Sequence, residues 1–148
     1  MIQRAMGEAL ERYAGADPAT APPWSQFVTD AEISAQQGYA LYLLSLSDPE
    51  FAPSAVERLA SAVHGHGAAY AGAVGLILPP LAGAYFRAGD LDAAVATGYQ
   101  AVSALSGRYL PRGYARLRVM DTVADPFSGK PEVAELREHV RSALTVAA

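Results

Sequence analysis

A chain of 148 residues, 51% hydrophobic and 18% charged, has one domain's length, with enough apolar side chains for a core. The absence of cysteine excludes a disulfide scaffold, a Cys-ligated zinc site and a thiol nucleophile. A formal net charge of −4 argues against nucleic-acid binding, which needs many phosphate-facing cations on one face.

Punctuation along the chain predicts seven helices. The first, Ile2 to Ala14, sets Met6, Ala9, Leu10 and Tyr13 against Arg4, Glu8, Glu11 and Arg12, and ends at Gly15-Ala16-Asp17-Pro18. Its early acids exclude a secretory signal peptide. An extended Ala/Pro/Thr-rich linker follows to Pro23. Thr29 and Glu32 read as a capping box, with Phe27 or Val28 as the hydrophobic staple, opening a second helix from about Asp30 to Ser45. Ser54 and Glu57 repeat the signature for a third helix striped by Val56, Leu59, Ala60 and Val63, which stops in His64-Gly65-His66-Gly67.

From Gly65 to Phe86 the chain carries no formal charge, which meets the length of a membrane span. Its Ala/Gly composition, His66 and Pro79-Pro80 favour instead a helix buried on most sides of a core, with no membrane partner. This fourth helix, about Ala68 to Ala88, is expected to bend or break at the two prolines, each of which removes a backbone donor. Gly89-Asp90 is a tight turn into a fifth helix, Leu91 to Leu105. A sixth runs from about Pro111 to Ala124, with Leu110, Tyr114, Leu117 and Met120 inward. Pro131 opens the last, striped by Val133, Leu136, Val140 and Leu144. No stretch alternates as a strand does, so the fold class is all-α.

Alanine fills 31 positions and ten of the eleven basic residues are arginine, Lys130 being the single lysine. The alanines acquire a role once internal periodicity is tested. Leu78, Leu81, Ala82, Tyr85, Gly89-Asp90, Ala94, Gly98 and Ala101 follow in order the tetratricopeptide pattern, in which small residues let paired helices approach and large ones fill the seam. Gly98 stands where that pattern has an aromatic and Ser106 where it often has Pro. Gly38, Leu41, Ala55 and Ala62 form a weaker copy. Pro22-Pro23-Trp24, the segments from Asp30 to Gly38 and Ala84 to Val102, and the segment from Lys130 to Leu144 resemble the C-terminal tetratricopeptide arrays of actinobacterial helix-turn-helix regulators of the xenobiotic-response-element type. The resemblance covers about Arg4 to Leu144. Those regulators begin with a DNA-binding domain whose basic recognition helix has no counterpart here, so the chain reads as an excised sensor portion or a stand-alone relative.

The resemblance implies a single α-solenoid domain whose first helix of each pair lines a concave groove. It places Glu32, Gln36, Tyr39 and Tyr42 from the second helix, and Leu76, Pro79, Gly83, Phe86 and Arg87 from the fourth, along that groove. Each aromatic could equally complete the core. Arg108, Arg112 and Arg116 recur every four residues, beside Arg118, Tyr109 and Tyr114, as a cationic stripe opposite Leu110, Tyr114 and Leu117. The stripe suits a partner's carboxylates or a phosphate, or is a solvated face balanced by Asp121 and Asp125. Pro79-Pro80 either widens the groove or opens an apolar pocket among Leu76, Leu78 and Phe86, or is tolerated drift.

His64 and His66 hold a metal only with a third ligand, which the sequence does not nominate. With no nucleophile elbow, phosphate-binding loop or paired acids, no catalytic residue, cofactor or metal is expected. The sequence thus points to a non-enzymatic, cytoplasmic recognition module for a protein or peptide. The alternative is a small apolar effector bound near Pro79-Pro80. Self-association as a homodimer through an end helix is a further expectation.

Overall fold

The computed structural model describes residues 2–15, 29–66 and 71–147. The linker, Pro22-Pro23-Trp24, the Phe27/Val28 staple, Gly67 and Ala68 lie outside the described residues. Seven α-helices are found among those described: α1 (Ile2–Ala14), α2 (Asp30–Ser45), α3 (Ala52–His66), α4 (Ala71–Ala88), α5 (Leu91–Leu105), α6 (Pro111–Ala124) and α7 (Pro131–Ala147). The described residues contain no strand, and no helix among them is long and apolar enough to cross a membrane.

Local chemistry explains most boundaries. At α2 the capping box is complete: the Thr29 backbone N donates to Glu32 Oε2 at 3.0 Å and the Glu32 N to Thr29 Oγ1 at 3.1 Å. At the end of α4, Gly89 adopts φ +83°, and the amides of Gly89 and Asp90 donate to Phe86 O and Tyr85 O. A side chain with a Cβ is strained in that left-handed geometry, which is the reason for glycine there. Asp90 then caps α5 by accepting from the Ala93 amide. The third helix begins earlier than Ser54 and Glu57 predict. Asp48 caps a 3₁₀ turn over Pro49–Phe51 that runs straight into Ala52, so Ser54 lies inside α3, where its Oγ accepts from Gln3 Nε2 of α1 at 3.3 Å.

The central element is α4, which packs against α2, α3, α5 and α6. A helix touched on four sides has little room for charge, which accounts for the uncharged run. Behind it α5 meets α7, and α6 meets α7. Small residues sit where helices approach closest. A Cβ on Gly38 would stand 2.7 Å from Leu59 Cγ, one on Gly98 2.6 Å from Leu136 Cδ2, and one on Gly83 2.7 Å from Tyr42 Cζ. Leu136 of α7 therefore occupies the space left where the repeat pattern has an aromatic in place of Gly98.

Of the bend or break expected at the prolines, the break does not occur: α4 is one helix from Ala71 to Ala88 with Pro79 and Pro80 inside it. In an α-helix the amides of residues 79 and 80 would donate to the carbonyls of Gly75 and Leu76. Proline has no N–H, so both acceptors are released within the helix. Both find neighbours on α6. Arg116 Nη1 donates to Leu76 O at 2.7 Å. At Gly113 an added Cβ would lie 3.3 Å from Gly75 O, so the bare backbone of α6 rests on that carbonyl. The prolines themselves are fully buried. The carbonyls they free are where α6 meets α4.

Candidate functional site

Helices α2, α4 and α6 share one face, and an open groove of about 520 Å³ runs between them. From α2 it takes Glu32, Ile33, Ala35, Gln36 and Tyr39; Ala73, Leu76 and Ile77 come from α4, Arg112 and Arg116 from α6, and Leu59 and His66 from α3. Ile33, Leu76 and Ile77 give it apolar surface, and Glu32, Gln36, Arg112 and Arg116 give it polar groups.

Tyr39 and Arg116 form the fixed part of the site. The guanidinium carbon stands 3.8 Å from the centroid of the Tyr39 ring, a cation–π contact bridging α2 and α6, while Nη1 holds the Leu76 carbonyl of α4. One side chain thus ties three helices together. Burial first of all lowers the Arg116 pKa from its ordinary value, with the charge of Arg112 adding to the effect and Tyr39 opposing it. Arg112 lies one turn earlier on the same face of α6 and has no ion pair among the described residues.

Of the residues expected along the groove, Glu32, Gln36, Tyr39 and Leu76 line it. Tyr42, Pro79, Gly83 and Phe86 do not, because they face the neighbouring helices. Tyr42 is 1% exposed and lies across Gly83, while Phe86 is fully buried and stacks on Phe127 with ring centroids 5.7 Å apart. Leu78 and Phe86, named beside Leu76 for an apolar pocket, are both buried in the core. Arg87 is committed elsewhere. Its Nε donates to Ser45 O at 2.8 Å, satisfying a carbonyl at the C-terminal end of α2.

The cationic stripe is also redistributed. Arg108 precedes α6 and lies against a separate depression with Tyr109, Arg118 and Val146, so it does not continue the row of Arg112 and Arg116. Asp121 and Asp125 balance Arg137 of α7, not the stripe. His64 is exposed, His66 lines the groove, and no group of three metal-binding side chains occurs among the described residues. Ile33, Ala35, Leu59, His66, Ala73 and Ile77 also line the groove, and nothing in the sequence pattern assigns them to it. The i−4 rule applied to Pro80 would have marked Leu76 O as a free acceptor, but not which side chain fills it.

Tyr42 matters for stability and not for the groove. Its hydroxyl is buried with no hydrogen-bond partner among the described residues. Burial raises its pKa above the ordinary 10.0, Tyr39 adding to this and Arg87 opposing it. The unfolded chain therefore ionises here before the folded one does. The resulting stability is intact below about pH 10 and falls above it, by about 1.4 kcal/mol per pH unit from this one group. Tyr42→Phe, which deletes the unpartnered hydroxyl, is expected to raise stability by about 1 kcal/mol at neutral pH. It is also expected to flatten the alkaline decline, both read from urea midpoints; a loss of stability at neutral pH would show that the hydroxyl has a partner.

Compared with known proteins, the chain matches no family model, no curated protein and no solved structure.

Proposed function

We propose that the chain is a peptide-recognition module built on a tetratricopeptide-like array, serving in the cytosol as the sensor or interaction portion of a transcriptional regulator and performing no chemistry. The observation that carries this reading is the open groove shared by α2, α4 and α6, the first members of successive helix pairs. The repeat pattern of the sequence supports it, as do the close approaches at Gly38 and Gly98, where α2 meets α3 and α5 meets α7. The regulator setting rests on the sequence resemblance.

An extended peptide needs a trough open to solvent that offers both apolar contact and polar groups, and this groove is lined by both. Tyr39 supplies a wide ring with two rotatable angles and a hydroxyl, the kind of side chain that carries binding energy at small interfaces. Tyr39→Ala is expected to weaken peptide binding about thirtyfold. An array of peptides probed with the purified chain, followed by anisotropy titration of those retained, measures this. Retention of none, or indifference to Tyr39→Ala, sinks the peptide reading. The groove's volume also suits a small molecule. An apolar compound that raises the melting temperature through Tyr39, with no peptide retained, would move the assignment to effector binding.

A further inference from the structure

Charge is unevenly placed in this acidic chain, and the groove is where the imbalance has a consequence. Arg112 and Arg116 stand one turn apart on the α6 wall. The single carboxylate among the described residues that line the groove belongs to Glu32, and it accepts the Thr29 amide in the capping box at 3.0 Å. No ion pair joins Glu32 to either arginine among the described residues. Two cations therefore share a partly apolar trough, neither of them in an ion pair among the described residues.

The sequence keeps one of them there at a cost. Proline inside a helix forfeits backbone hydrogen bonds, and α4 contains two in succession at full burial. What the second one frees is the Leu76 carbonyl, which receives Arg116 Nη1. The carbonyl fixes one edge of the guanidinium and the Tyr39 ring covers one face. A guanidinium carries five N–H donors in a rigid fork, so donors remain beyond the one that Leu76 O takes.

We infer that the groove's occupant is an acidic peptide, that an Asp or Glu carboxylate of it is gripped between Arg112 and Arg116, and that Pro79-Pro80 is the device that positions Arg116 to do so. This deepens the peptide reading and rests on it. Charge complementarity selects the carboxylate. Ile33, Leu76 and Ile77 beside the arginines select apolar residues next to it in the peptide. Arg116 acts as an anchor already immobilised, so little side-chain freedom is lost when the anion arrives, whereas Arg112 supplies an adaptable second contact.

The test uses the purified chain and two pools of short labelled peptides, acetylated and amidated at their ends. Both pools have randomised apolar residues; one carries a central Asp or Glu and the other Asn or Gln in its place. The acidic pool is expected to bind about tenfold more tightly at low salt, with the margin shrinking as salt is added. Arg112→Met removes an exposed side chain that is in no ion pair among the described residues, and circular dichroism checks that the helices are kept. The substitution is expected to erase the margin, weakening the acidic pool about tenfold more than the amide pool. Pro79→Ala/Pro80→Ala, which returns an amide to compete for Leu76 O, is expected to reduce the margin without abolishing it. Arg116→Met serves as a check, with circular dichroism reporting whether the helices survive. Equal binding of both pools overturns the inference while leaving the peptide reading standing, as does equal weakening of both by Arg112→Met. Binding of neither pool overturns both.

Discussion

Arg137→Met is expected to lower the unfolding free energy by about 3 kcal/mol, a large share of what a domain of this size has to spare. Arg137 sits on α7 and reaches back to α6 and the turn after it. Its Nε donates to Asp121 Oδ1 at 2.8 Å, and Nη1 donates to Asp125 Oδ1 at 2.5 Å and to Ser128 Oγ at 2.7 Å. The side chains of Arg137 and Asp121 are only 11% and 16% exposed, so both are largely out of water. The hydrogen bond to Asp121 is the first cause of the raised Arg137 pKa.

Removing the arginine leaves the Asp121 carboxylate desolvated, with only the exposed Arg141 at 4.0 Å as compensation. An abandoned charge costs more than the pair contributes, so replacing both partners by apolar residues of similar size should recover most of the loss. Asp125 is 67% exposed, and Asp125→Asn is expected to cost about 0.5 kcal/mol at most. Urea unfolding of the three variants measures the contrast. A loss below about 1 kcal/mol for Arg137→Met would show that the α6–α7 junction is held by Val133, Leu136 and Val140 alone.

This clamp also shows what the sequence conceals. The helices themselves are legible because their signals are local: a capping box at Thr29 and Glu32, a left-handed glycine at Gly89, a proline at the first turn of α6 and of α7. The burial of α4 is legible because 22 residues without charge have few other homes. The site is only half legible. Glu32, Gln36, Tyr39 and Leu76 follow from which helix face is expected to lie open. But Tyr39 and Tyr42 are three residues apart on that face, and their fates diverge.

The cause lies on a helix far along the chain. Tyr39 points to where Arg116 arrives and Tyr42 to where Gly83 leaves a hollow, although the two ring centroids are only 6.4 Å apart. Nothing within α2 distinguishes them. The sequence assigns Arg87 to a groove and Arg116 to a cationic stripe and gives no sign of their structural bonds, because the carbonyls that hold them, Ser45 O and Leu76 O, are 42 and 40 residues away. Side chains that satisfy backbone acceptors across a fold leave no periodic trace, whereas apolar stripes do.

Gly83→Ala is expected to destabilise the chain by about 2 kcal/mol, against the usual sign for this substitution in a helix. Replacing an interior glycine by alanine normally stabilises by up to about 1 kcal/mol, because the unfolded chain loses freedom and the helix gains a better former. At Gly83 the added methyl would stand 2.6 Å from Tyr42 Cε2 and 2.7 Å from Cζ, where carbon contacts prefer about 3.5 Å or more. The ring is buried and rigid, so the conflict is relieved only by prying α2 from α4. A move of about 1 Å in a close-packed core costs about 3 kcal/mol, which outweighs the propensity gain.

Gly7, in the middle of α1, is the control: a Cβ there meets nothing within 4 Å, and Gly7→Ala should stabilise by about 0.5–1 kcal/mol. If the two substitutions give the same sign, the close approach of α2 and α4 is wrong. If they differ as expected, Tyr42→Leu should lose part of its own cavity cost in the Gly83→Ala background, because the new methyl then fills space that the ring has vacated. That coupling places the α2–α4 spacing, and with it the width of the groove beside Tyr39, under the control of one glycine that does not itself line it.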